Sequence, residues 1–179
     1  MNSFPLKPHP SQAALVSLRL KDFKLRAALS VQDHVLELKF HWQADAGEIL
    51  WPSMHSPVSR QDLLWEHTCF EAFWAWAGEE CYWELNVSPS GDWNIYSFQA
   101  YRQGQKQEEK LVQLYFERHA QSISIRVDLS RIQEPQRKQM ILGLTAVIEL
   151  KGGQKTYWAL EHSSAQPDFH MRKSFIIQI

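Results

Sequence analysis

The chain is short of cysteine, of charge of either sign and of long apolar runs. Two cysteines among 179 residues make no disulfide framework. Lys and Arg number 19 against 20 Asp and Glu, for a formal charge of −1. A phosphate-binding surface carries a basic excess, and no run of Lys and Arg builds one here, so nucleic acid is not an expected partner. Near the N-terminus the longest apolar run, Ala13 to Val16, is far shorter than a signal-peptide core or a membrane span. No membrane partner is expected, and the expected location is the cytoplasm. Repeats of fixed period, low-complexity tracts and long linkers are missing as well. The motifs C-x-x-C-H, G-x-S-x-G, H-E-x-x-H and the P-loop do not occur, nor does a Ser-His-Asp order.

What is present is tryptophan, eight in all, and a period of two. Phe23, Leu25, Ala27, Leu29 and Val31 alternate with Lys24, Arg26, Ala28 and Ser30, and Leu36, Leu38, Phe40 and Trp42 alternate with Glu37, Lys39 and His41. Such alternation marks half-buried strands, here joined by a turn at Asp33-His34. Segments 111–118, 122–129, 141–150, 155–160 and 174–179 read the same way. Only 128–139 has a helical look, and Pro135 limits it to a turn or two. About ten short strands with turns between them predict one all-β domain over 1–179, an antiparallel sandwich or barrel.

The stretch 64–98 holds five tryptophans and both cysteines, and places Glu71 and Glu84 among residues built for burial. A two-residue turn at Gly78-Glu79 predicts Glu71 opposite Asn86 and Phe73 opposite Glu84. One face then reads Phe70, Ala72, Trp74 and Trp76 against Cys81, Trp83, Leu85 and Val87, wholly apolar, and must be core. The next hairpin predicts Asn86 opposite Asn94, Glu84 opposite Tyr96 and Tyr82 opposite Phe98. The second face collects Glu71, Phe73, Tyr82, Glu84 and Asn86 with no Lys or Arg on these three strands. Carboxylates and amides among rings, without basic residues, have the character of a concave binding surface, or else of a face covered by a loop or terminus with its polar groups satisfied internally. The same register separates Cys69 from Cys81, so both are expected as free thiols.

“HTCFEAF”, “YWELNVSPSGDWNIY”, “YWALEH” and “PDFH” together resemble the DOMON-like bacterial proteins, relatives of DOMON domains and of family-nine carbohydrate-binding modules. The match runs from Leu64 to the C-terminus. It departs from the pattern at Ser88, inserted before Pro89, and at His67-Thr68, where paired aspartates are common. The resemblance implies a β-sandwich of jelly-roll or immunoglobulin-like type with about ten strands. It also implies a ligand, a sugar or a haem, on or beside one sheet.

Sugar rings present apolar faces to aromatics and hydroxyls to acids and amides. Trp65, Trp93 and Trp158, at strand ends, are candidates for stacking. Glu71, Glu84, Asn86 and Glu161 are candidates for hydroxyl bonds, with Arg102 and Asp168 on loops that would close the site. His67 and His162, each after an aromatic–acid pair at a strand end, are candidates for the rim. The expected partner is therefore a small molecule or glycan, bound without catalysis and without a cofactor or metal. A protein partner would use the same aromatic face. A haem would need axial ligands from Met54, Met140 or Met171 with His67, His162 or His170. A glycoside hydrolase would use Glu71 and Glu84, which as diagonal neighbours stand about 7–8 Å apart, within the roughly 6.5–9.5 Å of inverting enzymes. His67, Cys69 and Glu71 project from one face, but alternate strand residues stand nearly 7 Å apart, too far to share one metal.

Overall fold

The computed structural model describes residues 2–44, 47–111, 113–132 and 139–179. Its elements, in chain order, are β1 (Asn2–Pro8), α1 (Ala13–Arg19), β2 (Lys24–Gln32), β3 (Val35–Gln43), β4 (Cys69–Trp76), β5 (Tyr82–Val87), β6 (Trp93–Phe98), β7 (Lys106–Gln107), β8 (Leu114–His119), β9 (Ser122–Asp128), β10 (Met140–Glu149), β11 (Lys155–Ala159) and β12 (Ile177–Gln178). All twelve strands pair antiparallel, in the order β7-β6-β5-β4-β10-β11-β1-β2-β3-β9-β8, with β12 on the first half of β10. Residues 133–138, the middle of the stretch with helical character, lie outside the described residues. No described helix is long and apolar enough to cross a membrane.

The path folds into two leaves that face each other, an antiparallel β-sandwich. The front leaf is β2-β3-β9-β8 and the back leaf β7-β6-β5-β4-β10-β11. Strand β1 belongs to both: Asn2 to Leu6 pair with β2, while Lys7 and Pro8 pair with Ala159 and Trp158 of β11. The sequence reading leaves β1 out because two prolines within seven residues count against a strand. It is tolerated because the strand changes partners along its length. Helix α1 also escapes the sequence reading. It has seven residues, no side-chain N-cap and one strongly exposed apolar residue, Leu18, and so little helical signal.

Alternation fills the space between the leaves. Leu25, Leu38, Phe40 and Ile125 of the front leaf meet Phe70, Trp74, Leu85 and Leu144 of the back leaf. Phe40 and Phe70 lie 4.9 Å apart by ring centroid across the interface. The Asp33-His34 turn is the tight hairpin expected, with φ of 48° and 64°, the doubly left-handed backbone of a type I′ turn. The turn at Gly78 is longer than expected. The ladder stops at Trp74 opposite Trp83, and the Ala77 N–H donates instead to Gln139 at 2.8 Å.

Every residue of β4 is buried. A strand covered on both faces means that something lies on the second face of the back leaf.

Trp93 and Trp158 sit on the inner face, opposite Val87 and Ala146. Trp158 is 3% exposed, packs edge-to-face on Phe23 at 5.3 Å and donates its N–H to Thr156 Oγ1 at 2.9 Å. Truncation of Trp158 to Ala is therefore expected to cost about 3–5 kcal/mol of stability, measured by urea unfolding. A loss below about 1 kcal/mol would contradict its place in the core.

Candidate functional site

The floor of the site is built by register. Glu71 stands opposite Asn86 on one side and Thr145 on the other; Glu84 stands opposite Phe73 and Tyr96; Asn86 stands opposite Asn94. All but the Glu71–Thr145 pair are the pairings expected from the sequence. Period two then sends both carboxyls, with Phe73, Tyr82 and Phe98, to the outer face of the back leaf.

Two segments cover that face from opposite sides. On the β6 side, Asp62 accepts hydrogen bonds from the Tyr96 hydroxyl at 2.5 Å and from Asn94 Nδ2 at 3.0 Å. This pins the following turn, Leu64–Glu66, and sets the Trp65 ring against Tyr96 at 5.7 Å. On the other side, the chain from Pro167 to Phe175 crosses the sheet before β12. Phe175 packs on Phe73 at 5.7 Å, and Arg172 donates to the carbonyls of Glu79 and Cys81. Gly143 permits the crossing: a Cβ there would lie 3.1 Å from Phe175 Cδ1 and 3.4 Å from the Ser174 carbonyl.

Between the two covers a cavity of about 450 Å³ remains, within the range of small-ligand sites. Glu71, Glu84 and Phe73 line its floor. Phe98, Phe169, His170, Tyr157 and Trp65 form its walls, and Glu66, Arg102, Gln105, Lys155 and Pro167 its mouth. Glu71 Oε2 accepts from Thr145 Oγ1 at 3.0 Å, and Glu84 Oε1 accepts from Asn86 Nδ2 at 2.8 Å. Asn86 in turn takes a long bond from the Cys69 thiol at 3.6 Å.

Burial sets the protonation of this floor. Loss of water raises Glu84 to about 7, against a lowering by the Asn86 bond and the Arg102 charge. Loss of water, then the neighbouring Glu84 charge, pushes Glu71 well above the carboxylate range, against the bond from Thr145. His170 Nε2 stands 3.9 Å from Glu84 Oε2, but burial and the Arg102 charge lower His170 to about 4. Near neutral pH His170 is thus uncharged and the contact is not an ion pair. The Tyr82 hydroxyl, 2.8 Å from His170 Nδ1, accepts from the Arg102 backbone N–H at 3.2 Å. Burial raises Tyr82 to about 12, so it keeps its proton. It can give that proton to Nδ1, which leaves the Nε2 proton directed to the cavity. Arg102 has a left-handed φ of 52° and holds Asp168 at 2.9 Å. Burial works against the low pKa of Asp168, but bonds from Tyr101 and Arg102 outweigh it.

The expected site residues divide into two groups. Glu71 and Glu84 meet in the cavity, Asn86 lies directly behind them, Trp65 stands in its wall, and Arg102 and Asp168 stand at or beside its mouth. Trp93 and Trp158 lie on the other face of the sheet, because the parity of their strands turns them inward, where neither can stack on a ligand of this cavity. His67 bonds Glu149 at 2.8 Å and His162 bonds the Lys7 carbonyl at 2.9 Å. Neither lines the cavity, though the His162 ring lies 6.5 Å from that of the wall residue Phe169. Glu161 is exposed outside the cavity. The “SPSGD” turn is buried away from it: Asp92 accepts from Ser59 at 3.0 Å and His55 at 2.7 Å and so anchors the preceding loop. Phe169 and Tyr157 are wall residues that the sequence reading passes over, since “PDFH” has no periodicity and Tyr157 reads as an ordinary strand residue. Cys69 and Cys81 are free thiols. Among the described residues no group of three or more His, Cys, Asp or Glu is placed to hold a metal.

Neither protein-family models nor curated protein sequences match this chain. Among solved structures it is similar to a protein of Bacteroides uniformis provisionally described as carbohydrate-binding, with a TM-score of 0.63 and 12% identity over 97% of this chain and 84% of that one. Family-nine carbohydrate-binding modules of Caldicellulosiruptor kristjanssonii, in complex with glucose and with cellotriose, align with TM-scores of 0.45 and 0.46. Their identities are 11% and 10%, over 81% of this chain and 70% and 69% of theirs. The first of these shares the fold of this chain.

A carboxyl whose pKa is raised by folding binds its proton more tightly in the folded state. Its contribution is favourable below the unfolded value near 4.5 and is lost as pH rises through about 7. Glu84→Gln keeps an acceptor for Asn86 and removes this loss. The variant is expected to match the parent protein at pH 4.5 and to exceed it at pH 8 by on the order of 1 kcal/mol or more, read from urea midpoints. Equal stability at both pH values would mean that Glu84 ionises freely.

Proposed function

We propose that this chain is a non-catalytic carbohydrate-binding β-sandwich that takes a sugar, or a metabolite containing one, into the cavity over Glu71 and Glu84. One observation carries the reading: a cavity of about 450 Å³ in which aromatic walls surround carboxyl groups that still have acceptor capacity. A pyranose needs that combination, an apolar ring face against Phe98, Phe169 or Tyr157 and hydroxyls against Glu71 and Glu84. The description of the Bacteroides protein with the same fold accords with it, as does the resemblance of “YWELNVSPSGDWNIY” to carbohydrate-binding relatives.

Hydrolysis by the same pair is the alternative reading. Acid–base catalysis by two carboxyls needs environments that push their pKa values apart, one protonated and one ionised. Here burial raises Glu71 well above the carboxylate range and Glu84 to about 7, so at neutral pH Glu71 holds its proton while Glu84 ionises in part, and turnover of a glycoside is what separates hydrolysis from binding.

The test is isothermal titration against a panel of mono- and disaccharides, repeated with Tyr157→Ala and Glu71→Gln. Each variant is expected to fold and to weaken binding by roughly tenfold or more, about 1.4 kcal/mol. Unchanged affinity in Glu71→Gln would remove the floor of the cavity from the binding site. Release of nitrophenol from chromogenic glycosides would overturn the non-catalytic reading.

A further inference from the structure

The ligand of this cavity can be described further, on the premise that it is a sugar. We propose that it carries a protonated amine, an amino sugar in place of a neutral one, and that the ammonium group seats between Glu71 and Glu84.

The argument starts from atoms without partners. Glu71 is 3% exposed and Glu84 5% exposed. One oxygen of each accepts a bond, from Thr145 and from Asn86. Among the described residues nothing donates to Glu71 Oε1 or Glu84 Oε2. Both residues line the cavity, so a cation or donors that enter it can meet these oxygens and offset the cost of burial.

Among the described residues no cation of the protein bonds either carboxyl. Of the basic groups facing the cavity, Arg102 is engaged by Asp168 at 2.9 Å and its side chain is 51% exposed. Lys155 lies at the mouth. His170 gives its Nδ1 side to Tyr82, with Nε2 at 3.9 Å from Glu84, beyond hydrogen-bond reach. The other titratable groups on this face, Cys69, Tyr82 and Tyr96, are all held in their uncharged forms by burial. Glu66 adds a third acid at the mouth. With Arg102 matched by Asp168, the lining is acidic on balance.

The walls point the same way. Phe73 and Phe98 come from the sheet, Phe169 from the C-terminal cover and Tyr157 from β11, so rings approach the carboxyls from several directions. A ring face attracts an ammonium ion, and more strongly where water is excluded. A neutral hydroxyl gains nothing comparable from these rings. An ammonium offers three donors to the two free oxygens and cancels the charge of one carboxyl when it ionises. Binding is then an exchange: the cation enters, and a carboxyl proton leaves to solvent.

Three β-1,4-linked disaccharides that differ only at the 2-position isolate the charge: the diglucosamine with free amines, its N,N′-diacetyl form, and cellobiose. Isothermal titration of the full chain at pH 7 is expected to rank the free amine at least tenfold tighter than the other two. Titration in two buffers of different ionisation enthalpy should show proton release, and affinity should fall between pH 7 and pH 5 as the carboxyls take up protons. Glu71→Gln/Glu84→Gln, which stays folded if burial strains these acids, should erase the ranking. Cyclohexylamine serves as an amine without a sugar. Cellobiose or the diacetyl form binding as tightly as the free amine overturns the ammonium and leaves the sugar reading standing. Cyclohexylamine binding as tightly as the diglucosamine overturns the sugar reading and leaves the ammonium. If none of the four binds, both fall.

Discussion

Two carboxyl groups buried beneath one face of the back sheet are the constraint on which the rest of the site depends. A sheet face normally resolves into core or solvent, and β4 has neither choice: its inner side packs against the front leaf and its outer side lies under the chain's own covers. Within that layer Glu71 and Glu84 cannot ionise without cost, and the neighbours respond. Thr145 and Asn86 each satisfy one oxygen, His170 stays neutral, and the tyrosines keep their protons. The outcome is a polar pocket whose charge is suppressed and not balanced. That separates it from a structural ion pair, where the cation would be fixed in the protein.

The covers explain why the pocket survives. A loop pinned by Asp62 and a C-terminal segment held by Phe175 and Arg172 approach from opposite sides and stop short of each other. Had they met, the acids would be sealed and the face would be ordinary interior. Gly143 sets the height of the second cover, since any side chain there would press on Phe175 and the Ser174 carbonyl. The cover also ends as β12 on β10, so the wall residues Phe169 and His170 are tied at both ends to the back leaf. A wall fixed in this way holds its rings without spending ligand affinity on ordering them.

Much of this was legible in the sequence, for a reason that also marks the limit. Strict alternation leaves one register between 69 and 98, and a slip of one residue would put Trp74 and Leu85 outside. The facing of Glu71, Glu84 and Asn86 follows from that alone. Parity also decides Trp93 and Trp158, but position at a strand end is no guide to which face a ring takes, and both point inward. What alternation does not carry is the identity of the covers. Segments 59–66 and 167–175 have no period, and their contacts join residues far apart in the chain, as Tyr82 with His170 or Asp62 with Tyr96. Strand β1 is hidden for a different reason, because local propensity weighs Pro5 and Pro8 more heavily than the pairings with β2 and β11 that override them.

A free protein that holds two acids out of water is less stable than one with amides or apolar groups in their place. That deficit is also what gives the pocket its affinity. A ligand that meets the carboxyls with donors or a cation relieves a cost already present in the fold, so binding and folding stability are linked through the same two groups. The linkage is graded by pH, because protons and ligand compete for the same oxygens. Near the Glu84 value of about 7, small changes in acidity shift the pair between a protonated state that needs no partner and an ionised one that does. The site is thus built so that its demand for a ligand rises as the solution turns from acid to neutral, and the position of Glu84 behind Phe73 and His170 sets where that change occurs.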